Sequence, residues 1–156
     1  MPAPVVSWYN QANDTQETSW DLGVVDAGSV SNDKTFLIWN NRGGSSALSD
    51  MTNCTVTTKD DAGGDTGALV TGTWIEAQID SMGETSFTPI GGTTTKAIEA
   101  GGTNTTGNQT ISGATNDGTK SNAEDNFAEA TFHANVPSDA TAGTINFLLR
   151  VSYQYT

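Results

Sequence analysis

Ile145-Asn146-Phe147-Leu148-Leu149-Arg150-Val151-Ser152-Tyr153-Gln154-Tyr155 is a long alternating run. Successive side chains of a strand point to opposite faces. Ile145, Phe147, Leu149, Val151, Tyr153 and Tyr155 therefore share one face, and Asn146, Leu148, Arg150, Ser152 and Gln154 the other. A six-residue apolar stripe of this kind predicts a half-buried strand on the core of a sandwich. Ala128 to Val136 alternates the same way, with Ala128, Ala130, Phe132, Ala134 and Val136 opposing Glu129, Thr131, His133 and Asn135. The turn-forming connection Pro137 to Gly143 joins the two runs and predicts them as antiparallel neighbours.

Earlier segments read as further strands. Lys34 to Asn40 has Phe36 and Ile38 on one face and Leu37 and Trp39 on the other, which predicts a strand covered on both sides. Asn40-Asn41-Arg42-Gly43-Gly44 ends it with residues that tolerate positive φ. Trp20 to Val25 reads as a strand closed by the turn Asp26-Ala27-Gly28-Ser29, and Met51 to Lys59 as a strand of high β-propensity. Thr73 to Ile79 sets Ile75, Ala77 and Ile79 against Trp74, Glu76 and Gln78. Glu84 to Pro89 and Thr93 to Ile98 read as two short strands turning at Gly91-Gly92. Gly101 to Asn126 is almost wholly Gly, Thr, Asn, Ser, Ala and acids, with Ile111 its one large aliphatic residue, so a long surface excursion is expected. No segment has a comparable helical repeat. The expected organisation is an N-terminal arm, 1–17, and one β-sandwich domain, 18–156, with an insertion over 84–126.

Composition agrees with this reading. The 156 residues are 35% hydrophobic with 17 Gly, which suits short strands joined by polar turns. Six Lys and Arg against 18 Asp and Glu give a net charge of −12, which repels phosphate backbones and anionic head groups. Neither nucleic acid nor membrane is expected as a partner. Met1 to Val6 has no basic region and no apolar stretch of signal-peptide length, so a protein made and kept in the cytoplasm, or one that leaves by a route other than a classical signal, is expected. The Thr/Asn/Gly-rich, Lys-poor texture instead suits an exposed surface. A virion protein, assembled in a host cytoplasm and displayed later, reconciles the two.

Catalytic groups are sparse. The lone cysteine, Cys54, shares a face with Val56 in the run Asn53 to Thr58 and reads as a buried, inert thiol. The lone histidine, His133, falls on the polar face with Glu129, Thr131 and Asn135, where a solvated role is expected. A Cys-His pair or an ordinary zinc site is not expected, nor any catalytic residue, metal or cofactor. Asp60-Asp61-Ala62-Gly63-Gly64-Asp65 could offer oxygens to calcium but lacks the EF-hand pattern, and reads as an acidic turn. The glycine pairs read as turns rather than phosphate loops. The triplets at Asn13, Asn53, Asn104 and Asn108 match the glycosylation pattern as chance would in a Thr/Asn-rich chain. Trp8, Tyr9, Trp20 and Trp74 are candidate interface aromatics, with a core role equally open.

Leu22-Gly23-Val24-Val25-Asp26-Ala27-Gly28-Ser29, followed by Lys34 to Gly43, resembles the opening of ASH (abnormal spindle-like) and related immunoglobulin-like domains. There a strand, a GxVxxG turn and a second strand ending in Asn and Gly begin the sandwich. Val136 to Gly143 leading into Ile145 to Tyr155 is similar to the last two strands of bacterial and phage immunoglobulin-like modules. These stretches cover about a third of the chain and speak for a fold more than a function. The resemblance implies an antiparallel immunoglobulin-like sandwich. The acidic, Thr/Gly-rich surface is also similar to small accessory proteins of tailed-phage virions. The expectation is a capsid decoration or cement protein that stabilises a phage head by binding the major capsid protein. It would also form a homo-oligomer such as a trimer, with residues 1–17 and 101–126 as contact segments. The alternative is a carbohydrate- or receptor-binding module of a phage tail, fibre or bacterial surface, using aromatics such as Trp8, Tyr9 or Trp74.

Overall fold

The computed structural model describes residues 1–102 and 108–156. The triplet at Asn104 and residues 103–107 of the 101–126 segment lie outside the described residues. Among the described residues eight strands form: β1 (Val6–Asn10), β2 (Lys34–Asn40), β3 (Thr52–Asp60), β4 (Ile75–Ile79), β5 (Thr88–Ile90), β6 (Lys96–Ala97), β7 (Phe127–Ala134) and β8 (Phe147–Gln154). They make two antiparallel sheets, in the orders β1-β2-β7-β4-β5 and β6-β3-β8. The fold is an all-β sandwich. Phe36, Ile38, Ile75, Ala77, Ile79, Ala130 and Phe132 fill the space between the sheets from one side, and Cys54 and Val56 from the other. As both its faces predict, β2 is covered twice: Leu37 and Trp39, fully buried, form a second cluster with Ala123 and Phe127.

The last strand has a different neighbour from the one expected. Val151 of β8 lies opposite Val56 of β3, whereas β7 sits between β2 and β4 in the other sheet. Both edges of β7 are taken, so residues 135–146 carry the chain across to the second sheet. The stripe is also shorter: Phe147, Leu149, Val151 and Tyr153 are half-buried, while Ile145 and Tyr155 are exposed.

Three other expectations change. Residues 20–25 form no strand, because Gly23 takes a φ of +68° and interrupts the extended run. Trp20 turns onto the core there and Val24 is left outside, but the turn that follows forms, with Ser29 N donating to Asp26 O. The turn at Gly91-Gly92 forms, with Gly91 and Thr94 exchanging two backbone hydrogen bonds, but the strands on either side do not pair with each other. β5 pairs with β4 and β6 with β3, so the glycines pass between sheets, and a Cβ on Gly91 would lie 2.2 Å from the Val70 carbonyl oxygen. One turn of helix, α1 (Ala68–Thr71), fits between Gly67 and Gly72 and buries Leu69 and Val70. Four residues are too few to carry a periodic signal.

The described part of the 101–126 segment is not a surface excursion. Ile111 is fully buried and bridges to Met51. Asparagine amides hold the rest. Asn40 donates to Ser49 O at 3.0 Å and Ile111 O at 3.2 Å, and its Oδ1 accepts from Val5 N at 3.3 Å. Asn41 donates to Ser46 O and Gly113 O, both at 2.8 Å, and Asn126 to Ser112 O and Ala114 O, both at 2.9 Å. Residues 1–17 are also built in. β1 pairs with β2, Asn41 N donates to Val5 O, and Ser49 N donates to Pro2 O.

Candidate docking site

A two-sheet sandwich has four edges, and unpaired edges invite pairing unless they are blunted. Three are blunted here. β5 is three residues long and contains Pro89, which has no N–H, and β6 is two residues long. β1 is covered by the returning chain, with Glu17 N donating to Trp8 O and Asn10 N to Thr15 O. β8 is different. It runs for eight residues, Phe-Leu-Leu-Arg-Val-Ser-Tyr-Gln, with one charge and no proline, and β3 is its only strand neighbour among the described residues.

Beside this edge a groove of about 350 Å³ opens toward β1, lined by Val6, Trp8, Trp20, Phe36, Phe147 and Leu149 together with polar residues 16–19. Trp20 organises its floor, with ring centroids 6.3 Å from Phe36, 6.2 Å from Phe132 and 5.9 Å from Phe147. Trp8 stands edge-on to Phe36 at 5.5 Å. Trp8 and Trp20 of the four candidate aromatics are thus brought together. Tyr9 faces the other way, beneath the Arg42 guanidinium at 3.9 Å, and packs on the Trp39 cluster. Trp74 is half-buried against the core and does not line the groove. Two segments expected as contacts also meet: Asn13 donates to Gly118 O at 2.8 Å, and Lys120 Nζ to Gln11 O at 2.9 Å.

His133 is not solvated. It lies on the outer face of β7, as alternation predicts, but is only 9% exposed because Phe87 stacks on its ring at 3.9 Å. Its Nε2 lies 2.7 Å from Glu76 Oε1 and its Nδ1 3.2 Å from Asp33 Oδ1. Both ring nitrogens are engaged, so the imidazole ties β4, β7 and the approach to β2 together. Nothing in sequence spacing marks Phe87 or Asp33 as its neighbours. Cys54, on β3, points into the core between the sheets, and burial pushes its thiol up to about 12. We expect the native thiol to resist an aromatic disulfide reagent and to react only at the rate of global unfolding. Fast stoichiometric labelling of native protein would contradict this.

Asp60 accepts hydrogen bonds from Thr66 N, Gly67 N and Thr66 Oγ1, while Lys59 sits 2.9 Å from Asp65. The acidic run is thus a turn tied to the entrance of α1. Among the described residues no group of three His, Cys, Asp or Glu side chains is arranged to hold a metal. The Thr66 backbone N–H, chief among these donors, lowers the Asp60 pKa. Donation from Asn122, then Thr119, lowers that of Asp117 from 3.8 to about 2. A carboxylate with a depressed folded pKa stabilises above its unfolded pKa and loses that contribution as pH falls through the folded one. The Thr119 amide should therefore shift around pH 2 in an NMR titration, and the Thr66 and Gly67 amides at a pH below the ordinary aspartate range, while the core signals stay put.

Among the described residues no helix is long and apolar enough to cross a membrane. The chain matches no known protein-family model and no curated protein.

Proposed function

We propose that this chain is a structural module that works by assembly: a capsid decoration protein that binds the major capsid protein of a phage head and is displayed on the virion. The observation that carries the assembly reading is the β8 edge, the one long edge of the sandwich that is left uncovered among the described residues. The surface where residues 10–15 meet residues 116–120 is the proposed capsid contact, since it unites two polar segments from distant parts of the sequence. Contacts bridging neighbouring capsid subunits would bind the assembled shell and not its separated parts, and so stabilise the shell by mass action. The charge of −12 keeps such an exposed protein soluble. Purified particles should contain the chain in fixed ratio to the capsid protein, and particles lacking it should release DNA at a lower temperature. Its absence from purified particles would end this reading.

A second reading is favoured by the groove. Two indoles beside polar residues 16–19 suit a sugar ring, which stacks on aromatic faces and takes hydrogen bonds at its edge. A carbohydrate- or receptor-binding module of a tail, fibre or bacterial surface would show hits on a glycan array that vanish in Trp20→Ala.

A further inference from the structure

We infer that β8 pairs with β8 of a second copy, antiparallel about a two-fold axis at Val151, so that two three-stranded sheets become one of six strands. The inference rests on the assembly reading and names the partner at this edge, leaving the surface around residues 10–15 and 116–120 for the capsid. The chain has 18 acidic residues, yet residues 140–156 contain none and carry Arg150. Two copies at −12 each repel generally, and this strip is where they can approach without opposing carboxylates. An antiparallel edge is also its own geometric complement under two-fold symmetry.

The register follows from the side chains. Residues directly opposite share a face, so the axis passes through one residue and its copy. An axis at Arg150 sets the two guanidiniums against each other, which is unfavourable. An axis at Leu149 limits the overlap of the two strands to residues 147–151 and one at Ser152 to residues 150–154, against 148–154 for an axis at Val151. The axis at Val151 pairs Val151 with itself, Leu149 with Tyr153, Phe147 with Tyr155, Arg150 with Ser152 and Leu148 with Gln154. It covers Tyr155 and Leu148, which are 52% and 36% exposed. The inner stripe of the second strand would extend over the mouth of the groove between β8 and residues 16–20. The half-burial of Phe147, Leu149, Val151 and Tyr153 is what a sheet shows when its next strand is missing.

Light scattering on the purified chain should give about twice the 16.2 kDa chain mass. A Leu148→Lys, Ser152→Lys variant should fall to the single-chain mass with its circular dichroism unchanged. Arg150→Cys mixed with Ser152→Cys should form a covalent dimer on oxidation faster than either variant alone. That pair decides the matter even if the lysine variant fails to fold. A monomeric wild-type chain, a dimer that survives the lysines, or cross-linking no faster in the mixture would overturn the pairing. Each of these leaves the capsid reading intact, because that reading is judged by particle composition.

Discussion

Phe132→Ala is expected to lower the stability of the fold by about 3–5 kcal/mol, the range for removing a fully buried phenylalanine. Phe132 is inaccessible to solvent and lies 6.1 Å from Phe36 and 6.2 Å from Trp20, ring centre to ring centre. β7 is hydrogen-bonded on both edges, to β2 and β4, so the backbone has little freedom to collapse into the space left. A loss of that size is a large share of the roughly 5–15 kcal/mol that holds a domain folded. In urea the midpoint should drop with the slope unchanged, and Phe132→Leu should recover most of the loss. The same substitution reaches the groove, because Trp20 leans on Phe132 and forms the floor. Trp20 fluorescence should shift to the red in the folded variant. A loss below about 1 kcal/mol would mean that the site repacks and that the aromatic cluster is not what joins the sheets.

Asn40→Ala should cost about 3 kcal/mol by a different route. The side chain is fully buried and satisfies two carbonyl oxygens and one N–H from three separate segments. Truncation leaves the buried Ser49 carbonyl without that donor, at about 1–3 kcal/mol before relaxation, and removes one of two donors to Ile111 O, which keeps its bond from Met51 N. The deficit should be local. Amide exchange at Val5, Met51 and Ile111 should accelerate far more than exchange in β4, whereas Phe132→Ala should raise exchange throughout both sheets. Asn40→Asp keeps the acceptor for Val5 N but places a carboxylate against the Ser49 and Ile111 carbonyls, so it should be at least as damaging as alanine.

These two residues mark what was legible in the sequence. Phe132 was readable because alternation assigns a face, and faces decide the core: β2, β3, β4 and β7 lie where their patterns predict, and β2 is covered on both sides as Leu37 and Trp39 require. Alternation does not name the neighbour. The pattern of β8 is compatible with any edge of right polarity, and only the occupation of both edges of β7 sends it to β3. Asn40 and Ile111 were illegible for another reason. A polar segment tethered by asparagine amides has the composition of a loop, so 108–126 reads as exposed although its backbone is captured from inside. His133 falls between the cases. Its face was predicted, but its burial depends on Phe87 and Asp33, which no local spacing associates with it. At the candidate site, the apolar and aromatic character of Trp8 and Trp20 was evident. Their meeting beside β8 depends on the chain passing residues 16–20 along the outside of β1.

The pairing of β3 with β8 has a consequence for biosynthesis. Residues 52–60 are made before residues 147–154 and wait for them, so the second sheet cannot close until that later strand has left the ribosome. Until then Cys54 and Val56 lack their cover, and the nascent protein presents β3 as a second open edge. Ribosomes stalled short of residue 147 should hold a chain that proteases digest readily and chaperones retain. Emergence of residues 147–154 is the step that makes the molecule resistant.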